Sequence, residues 1–196
     1  VLAVVAGSFG RRWFEIAQAR GKEVHALEVP MGRAVAPEEL ASYLENAPRF
    51  DAVTLVSNET STGVVHDLAG LAGAMRRFPG TLFLVDVVSY LAGAPVDFDA
   101  HGFDFALAGS QKARALPPGI TVVCASARYM QGARGRQRGS SYLDPVEIID
   151  GHAERKTPST PAIGLYYGLA RQLEDISAGR GLPGHARGAD AWRARF

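Results

Sequence analysis

Short apolar runs separated by segments of helical spacing constrain this chain more than any other feature. Residues 1–6, Val-Leu-Ala-Val-Val-Ala, are apolar without interruption, which suits a strand buried on both faces of a parallel sheet. Residues 51–57, 81–85, 103–108 and 120–126 repeat the theme, and residues 23–29 add the alternation and β-branched content of a further strand. Between them, Gly7-Ser8-Phe9-Gly10 reads as a turn and residues 11–19 as a helix stopped by Gly21. Pro37-Glu38-Glu39-Leu40 opens a second helix, with proline and acids suited to a first turn, and residues 65–77 have the spacing of a third. Strands alternating with helices predict an α/β fold with a mostly parallel sheet.

The second half is less regular. Residues 128–155 lose the pattern, and Arg134, Arg136 and Arg138, interleaved with glycine and glutamine but no aromatic residue, read as a solvated loop rather than an anion site. Pro161 opens a long helix through Ile163, Leu165, Tyr166, Leu169 and Leu173 to Ile176, which Gly179 ends. Gly181-Leu182 then leads to a last helical piece. The chain opens directly in a strand-like run and closes inside a helical pattern, so a fragment of a longer protein is expected. A formal net charge of +1 gives no reason to expect a nucleic-acid partner. No apolar run approaches the roughly 20 residues that span a bilayer, so no membrane partner is expected either. The single cysteine, Cys124, excludes an intrachain disulfide and reads as a buried structural thiol, in keeping with a cytoplasmic compartment.

In open α/β folds ligands bind beyond the carboxyl ends of the strands. Polar groups gather at those ends here. Asn58-Glu59-Thr60-Ser61-Thr62-Gly63 follows residues 51–57, Asp86 follows residues 81–85, and Gly109-Ser110-Gln111-Lys112 follows residues 103–108. Phe9 adds an aromatic ring after the first strand. A lysine desolvated at a strand end loses its proton more readily, and a neutral amine is what Schiff-base chemistry needs. Together, a lysine, a carboxylate, hydroxyls and a ring point to a flat, anionic cofactor with a carbonyl, a description that pyridoxal phosphate meets. Lys112 would form the Schiff base, Asp86 would keep the pyridine nitrogen protonated, and Phe9 would stack on the ring. Thr60 would donate to the phenolic oxygen, while Ser110 and Gln111 would reach the phosphate. Each has a plainer reading: Lys112 as a surface charge, Asp86 as a helix cap, Thr60 as a turn residue, Phe9 as core.

These same stretches carry a family resemblance. Asn58-Glu59-Thr60-Ser61-Thr62-Gly63, Val85-Asp86-Val87-Val88-Ser89, and Gly109-Ser110-Gln111-Lys112-Ala113 followed by Pro117-Pro118-Gly119 resemble the class V aminotransferases of the alanine–glyoxylate and serine–pyruvate type. Gly7-Ser8-Phe9-Gly10-Arg11-Arg12-Trp13 is similar to that family's ring-stacking loop, and Thr157-Pro158-Ser159-Thr160-Pro161 to its threonine-proline segment. The resemblance implies the three-layer large domain of fold type I pyridoxal phosphate enzymes and a homodimer with active sites at the subunit interface. It also implies ping-pong amino transfer, with Lys112 as cofactor lysine and proton shuttle. Asp86 and Val88 would hold the pyridine ring with Phe9 opposite Val88, Thr60 would touch the phenolic oxygen and Gln111 the phosphate. Ser159 or Thr160 would reach the neighbouring subunit's phosphate.

The departures are as informative. The family's small-residue phosphate loop and its arginine for the substrate carboxylate are not found here. Residues 1–160 are therefore expected to form most of a cofactor domain, and residues 161–196 to lead towards a small domain. A chain of this extent is expected to bind the cofactor weakly and turn over little. The leading expectation is transamination between a small amino acid, alanine or serine, and a small 2-oxo acid, glyoxylate or pyruvate. Aminoethylphosphonate transamination, a desulfurase-like reaction and a non-catalytic fragment are the alternatives. A nucleotide-binding module lacks both its glycine-rich turn and its phosphate loop.

Overall fold

The computed structural model describes residues 1–136 and 142–178. In chain order, the first elements are β1 (Leu2–Val5), α1 (Ser8–Ala19), β2 (His25–Glu28), α2 (Pro37–Asn46) and β3 (Ala52–Val56). A small ribbon of β4 (Asn58–Glu59) and β5 (Val64–Val65) precedes α3 (Leu68–Met75) and β6 (Leu82–Asp86). Then come α4 (Phe98–His101), β7 (Phe105–Gly109), β8 (Thr121–Ala125), α5 (Ala127–Arg134), α6 (Pro145–Ala153) and α7 (Ile163–Ser177). The main sheet has the order β2-β1-β3-β6-β7-β8. Its strands pair in parallel except β8, which runs antiparallel to β7.

Successive residues of a strand point to opposite faces, so a strand buried at every position is covered on both sides. That is the state of β1 and β3, and it makes the centre of the sheet the middle layer of three. Leu2, Val53 and Leu55 are sealed there together with Phe83 and Phe103, whose rings meet edge to face. Full burial of each such side chain stabilises the fold by about 1.5–3 kcal/mol. Helix α1 lies on β1 and β3, and α2 lies on α3. The approach of α1 is close enough to require glycine: a Cβ at Gly10 would come 2.6 Å from the Val4 carbonyl oxygen.

At the amino-terminal edge of β6 and β7, buried Asp104 ties three segments together. It accepts from the Phe83 amide (2.9 Å), the Ser126 hydroxyl (2.8 Å) and Arg128 Nε (3.0 Å), and pairs with Arg128 Nη2 as well. Burial pushes its carboxyl up, but Arg128, Phe83 and Ser126 together outweigh that and hold it below the usual range.

Several sequence expectations need correction. Helix α1 begins at Ser8, so Ser8, Phe9 and Gly10 form its first turn rather than a separate turn. Val65 belongs to a strand paired with β4, and α3 begins only at Leu68, after Asp67 accepts the Gly70 amide as its cap. Arg134 is not in a loop: it closes α5, and its two terminal nitrogens reach Asp150 of α6 at 2.7 and 2.6 Å. Helix α7 starts at Ile163, two residues after Pro161. Cys124 is exposed rather than buried, because β8 is the edge strand and presents Thr121, Val122, Val123 and Cys124 to solvent on both faces. Arg138, Gly179, Gly181, Leu182 and the last helical piece lie outside the described residues. No helix among the described residues is long and apolar enough to cross a membrane.

Candidate active site

The order β1-β3-β6-β7 places four carboxyl strand ends side by side. From them emerge Phe9, Thr60, Asp86 and Lys112, so the sheet brings together groups scattered over a hundred residues of sequence.

Asp86 closes β6. Its Oδ1 accepts the Val88 amide at 2.8 Å and its Oδ2 accepts the Trp13 indole Nε1–H at 3.3 Å. Both donors are neutral. The Asp86 carbonyl is taken by the Ser57 amide and hydroxyl at 2.9 and 2.7 Å, which locks β6 to the end of β3. Burial pushes the Asp86 carboxyl above its usual range. Val88, Trp13 and the charge of Lys112 oppose that push, while the charge of Glu59 adds to it. The bond to Val88 closes a turn rather than capping a helix, since the next helix begins only at Phe98, and it orients the carboxylate. Trp13, four residues along α1 from Phe9, belongs to the site through this bond, a role that its place in the first motif does not reveal.

Thr60 is exposed, and its Oγ1 lies 2.7 Å from the Ser89 hydroxyl, while Asn58 donates to the Ser89 carbonyl at 3.2 Å. These bonds fasten the segment after β3 to the segment after Asp86. Glu59, between them, is fully buried. Its carboxylate accepts from the amides of Phe9 (3.2 Å), Gly10 (3.0 Å) and Ser61 (3.3 Å), and from the Ser61 hydroxyl (2.6 Å). Burial pushes Glu59 up, but these donors outweigh it and hold the carboxyl below its usual range. The sequence motif contained Glu59, yet nothing local assigned it a partner some fifty residues away.

The turn after β7 differs from expectation in two residues. Ser110 is completely buried, donates to the Pro117 carbonyl at 2.7 Å and accepts from the Ile120 amide at 3.4 Å. It closes the turn and does not reach a phosphate. Lys112 is exposed, so this chain does not itself desolvate the amine. Gln111 is exposed with its carboxamide folded back over Gly109. Arg114, unremarked in the sequence, is buried. Its Nη2 donates to the Gly109 carbonyl at 2.7 Å, its Nε has no hydrogen-bond partner, and burial pulls its pKa down. Phe9 is 37% exposed on the first turn of α1, and Val88 is half-buried.

Ser159 and Thr160 are not brought to this group. They are exposed and line a separate cavity of about 410 Å³ with His152, Lys156, Tyr142 and Tyr166.

A family profile of the class V aminotransferases matches residues 7–181. The chain belongs to the class V aminotransferases. These are pyridoxal phosphate-dependent enzymes, and the donor set here fits that cofactor: a desolvated carboxylate held by neutral donors has room for one positive partner, which a protonated pyridine nitrogen supplies. Among relatives, an L-aspartate–glyoxylate aminotransferase of Paracoccus denitrificans is 33% identical over 182 residues, covering 91% of this chain and 46% of that protein. A serine–glyoxylate aminotransferase of Methylorubrum extorquens is 33% identical over 183 residues, covering 88% and 45%. The crystal structure of an alanine–glyoxylate aminotransferase from Nostoc superposes with a TM-score of 0.83 at 35% identity, covering 90% and 47%. This class V chain therefore spans about half the length of the relatives it matches.

Proposed function

We propose that this chain forms the cofactor-holding part of an aminotransferase that moves an amino group from a small amino acid to glyoxylate or a similar 2-oxo acid such as pyruvate. The observation that carries the reading is Asp86, a buried carboxylate oriented by Val88 and Trp13 within the field of Lys112. Alanine, serine and aspartate, the donors named for the relatives, are the substrates to try first.

When bound, pyridoxal phosphate supplies an electrophilic carbon and an electron-withdrawing ring. Lys112 would supply the amine that holds the cofactor, and its Nζ would be the group that takes and returns the proton moved in transamination. Asp86 would favour the protonated ring nitrogen as its one positive partner. Phe9 and Val88 would hold the ring, Thr60 its phenolic oxygen and Gln111 the phosphate. Ser159 or Thr160 serves the neighbouring site of a homodimer. Residues 1–160 act as the cofactor domain, residues 161–196 lead towards a small domain, and the protein works in the cytoplasm.

The test is glycine formation from glyoxylate after incubation with pyridoxal phosphate and each donor in turn. The reading predicts donor-dependent glycine that disappears in Lys112→Ala. Glycine formed equally by Lys112→Ala, or none from a chain extended at both ends and carrying bound cofactor, refutes it.

A further inference from the structure

One buried carboxylate beside the site, Glu59, is given no contact of its own with the ring. Glu59 lies under the first turn of α1, where the helix leaves its amide donors without intrahelical partners. The residue before the helix is Gly7, which has no side chain to cap it. Glu59 takes that role from another segment by accepting the amides of Phe9 and Gly10, and Ser61 extends it by accepting the Ser8 amide at 2.9 Å. The fit is tight: a Cβ on Gly7 would stand 2.5 Å from both the Glu59 Cγ and the Ser61 Oγ. A carboxylate suits the place, since every partner it meets is a donor and the helix terminus carries partial positive charge.

Helix α1 transmits the consequence. Phe9 sits in the turn that Glu59 grips, and Trp13, one turn on and on the same face, donates to Asp86. We propose that Glu59 is a positioning residue: from beneath the first turn of α1 it sets Phe9 and Trp13 in register with Asp86. The pinning of α1 is independent of ligand. Its consequence for the ring rests on the reading of Phe9 and Asp86 given above.

Glu59→Gln tests this because it keeps the shape and turns a donating amide towards the Phe9 or Gly10 amide. Two readouts on the full chain separate the proposal from the reading beneath it. The first needs no cofactor. The Trp13 indole N–H resonance, assigned by its loss in Trp13→Phe, should move in Glu59→Gln towards its position in Asp86→Ala, and the Phe9 and Gly10 amides should exchange at least about tenfold faster. Faster exchange with the Trp13 resonance unmoved overturns the proposal, because α1 is then held elsewhere. The second readout is pyridoxal phosphate affinity, expected to fall about tenfold in Glu59→Gln and by less than that when Glu59→Gln is added to Phe9→Ala in a double-mutant cycle. Fully additive losses overturn transmission through Phe9. If the wild-type chain takes up no cofactor, the ring-site reading fails and the resonance alone decides the proposal. Should Glu59→Gln not fold, Ser61→Ala removes one donor to Glu59 and the acceptor for Ser8, and the same resonance shift is expected in smaller measure.

Discussion

The seat of α1 on the sheet can be tested with one substitution made at two places. Ordinary contact begins near 3.4 Å, so a Cβ at Gly10, 2.6 Å from the Val4 oxygen, is about 0.8 Å too close. It would also stand 3.0 Å from the Val5 Cα. Both obstacles are main-chain atoms of β1, a strand buried at every position, so neither can rotate aside. Overpacking of this kind costs about 1–3 kcal/mol, against the helix-propensity gain of about 1 kcal/mol for alanine over glycine. Gly10→Ala is therefore expected to lose up to about 2 kcal/mol. Gly73, inside α3, has nothing within 4 Å of its would-be Cβ, so Gly73→Ala is expected to gain up to about 1 kcal/mol. Urea unfolding followed by circular dichroism reads both, as a midpoint lowered in the first variant and raised in the second. Gly10→Ala stabilised as much as Gly73→Ala would refute the close packing of α1 on β1.

The remaining predictions concern titration and the far edge of the sheet. Asp104→Asn weakens the link among Phe83, Ser126 and half-exposed Arg128 and is expected to lower stability by about 1–3 kcal/mol; unchanged unfolding midpoints would contradict it. Asp104 and Glu59 both have depressed folded pKa values, so the stability they contribute is complete above the ordinary carboxylate range and is lost as pH falls below it through their folded values. His66 is buried with neither ring nitrogen hydrogen-bonded, and burial pulls its pKa down against the Val56 and Ser57 backbone and the Glu59 charge. Its neutral form is favoured in the fold, so stability should be level above about pH 6.5 and decline as pH falls towards the depressed value. His66→Leu should flatten the decline between pH 7 and 5, and a slope identical to wild type would show that His66 is not its source.

The central strands were legible in the sequence because burial on both faces leaves a continuous apolar run, as in β1 and β3. Strand ends carried the site for the same reason: a run that stops at Asp86 or Gly109 marks where the chain leaves the sheet. What escaped depended on distant partners. Glycine and serine at the start of α1 read as a turn because the capping carboxylate comes from Glu59, far along the chain. Val65 shares helical spacing with α3, and only pairing with Asn58 makes it strand. Residues 121–125 have the composition of an interior strand, and neither their antiparallel direction nor their place at the sheet edge is written in that pattern, so Cys124 was misread as buried. Ser110 was misread because a hydroxyl beside a lysine suits a phosphate as well as it suits the Pro117 carbonyl.

The most direct test of the account is where pyridoxal phosphate attaches. The purified chain would be incubated with the cofactor, reduced with borohydride, digested and mapped, alongside Asp86→Ala and Lys112→Ala. The account predicts label on the peptide containing Lys112, diminished in Asp86→Ala and absent in Lys112→Ala. Label distributed over surface lysines, with no preference for Lys112 at saturating cofactor, would contradict it.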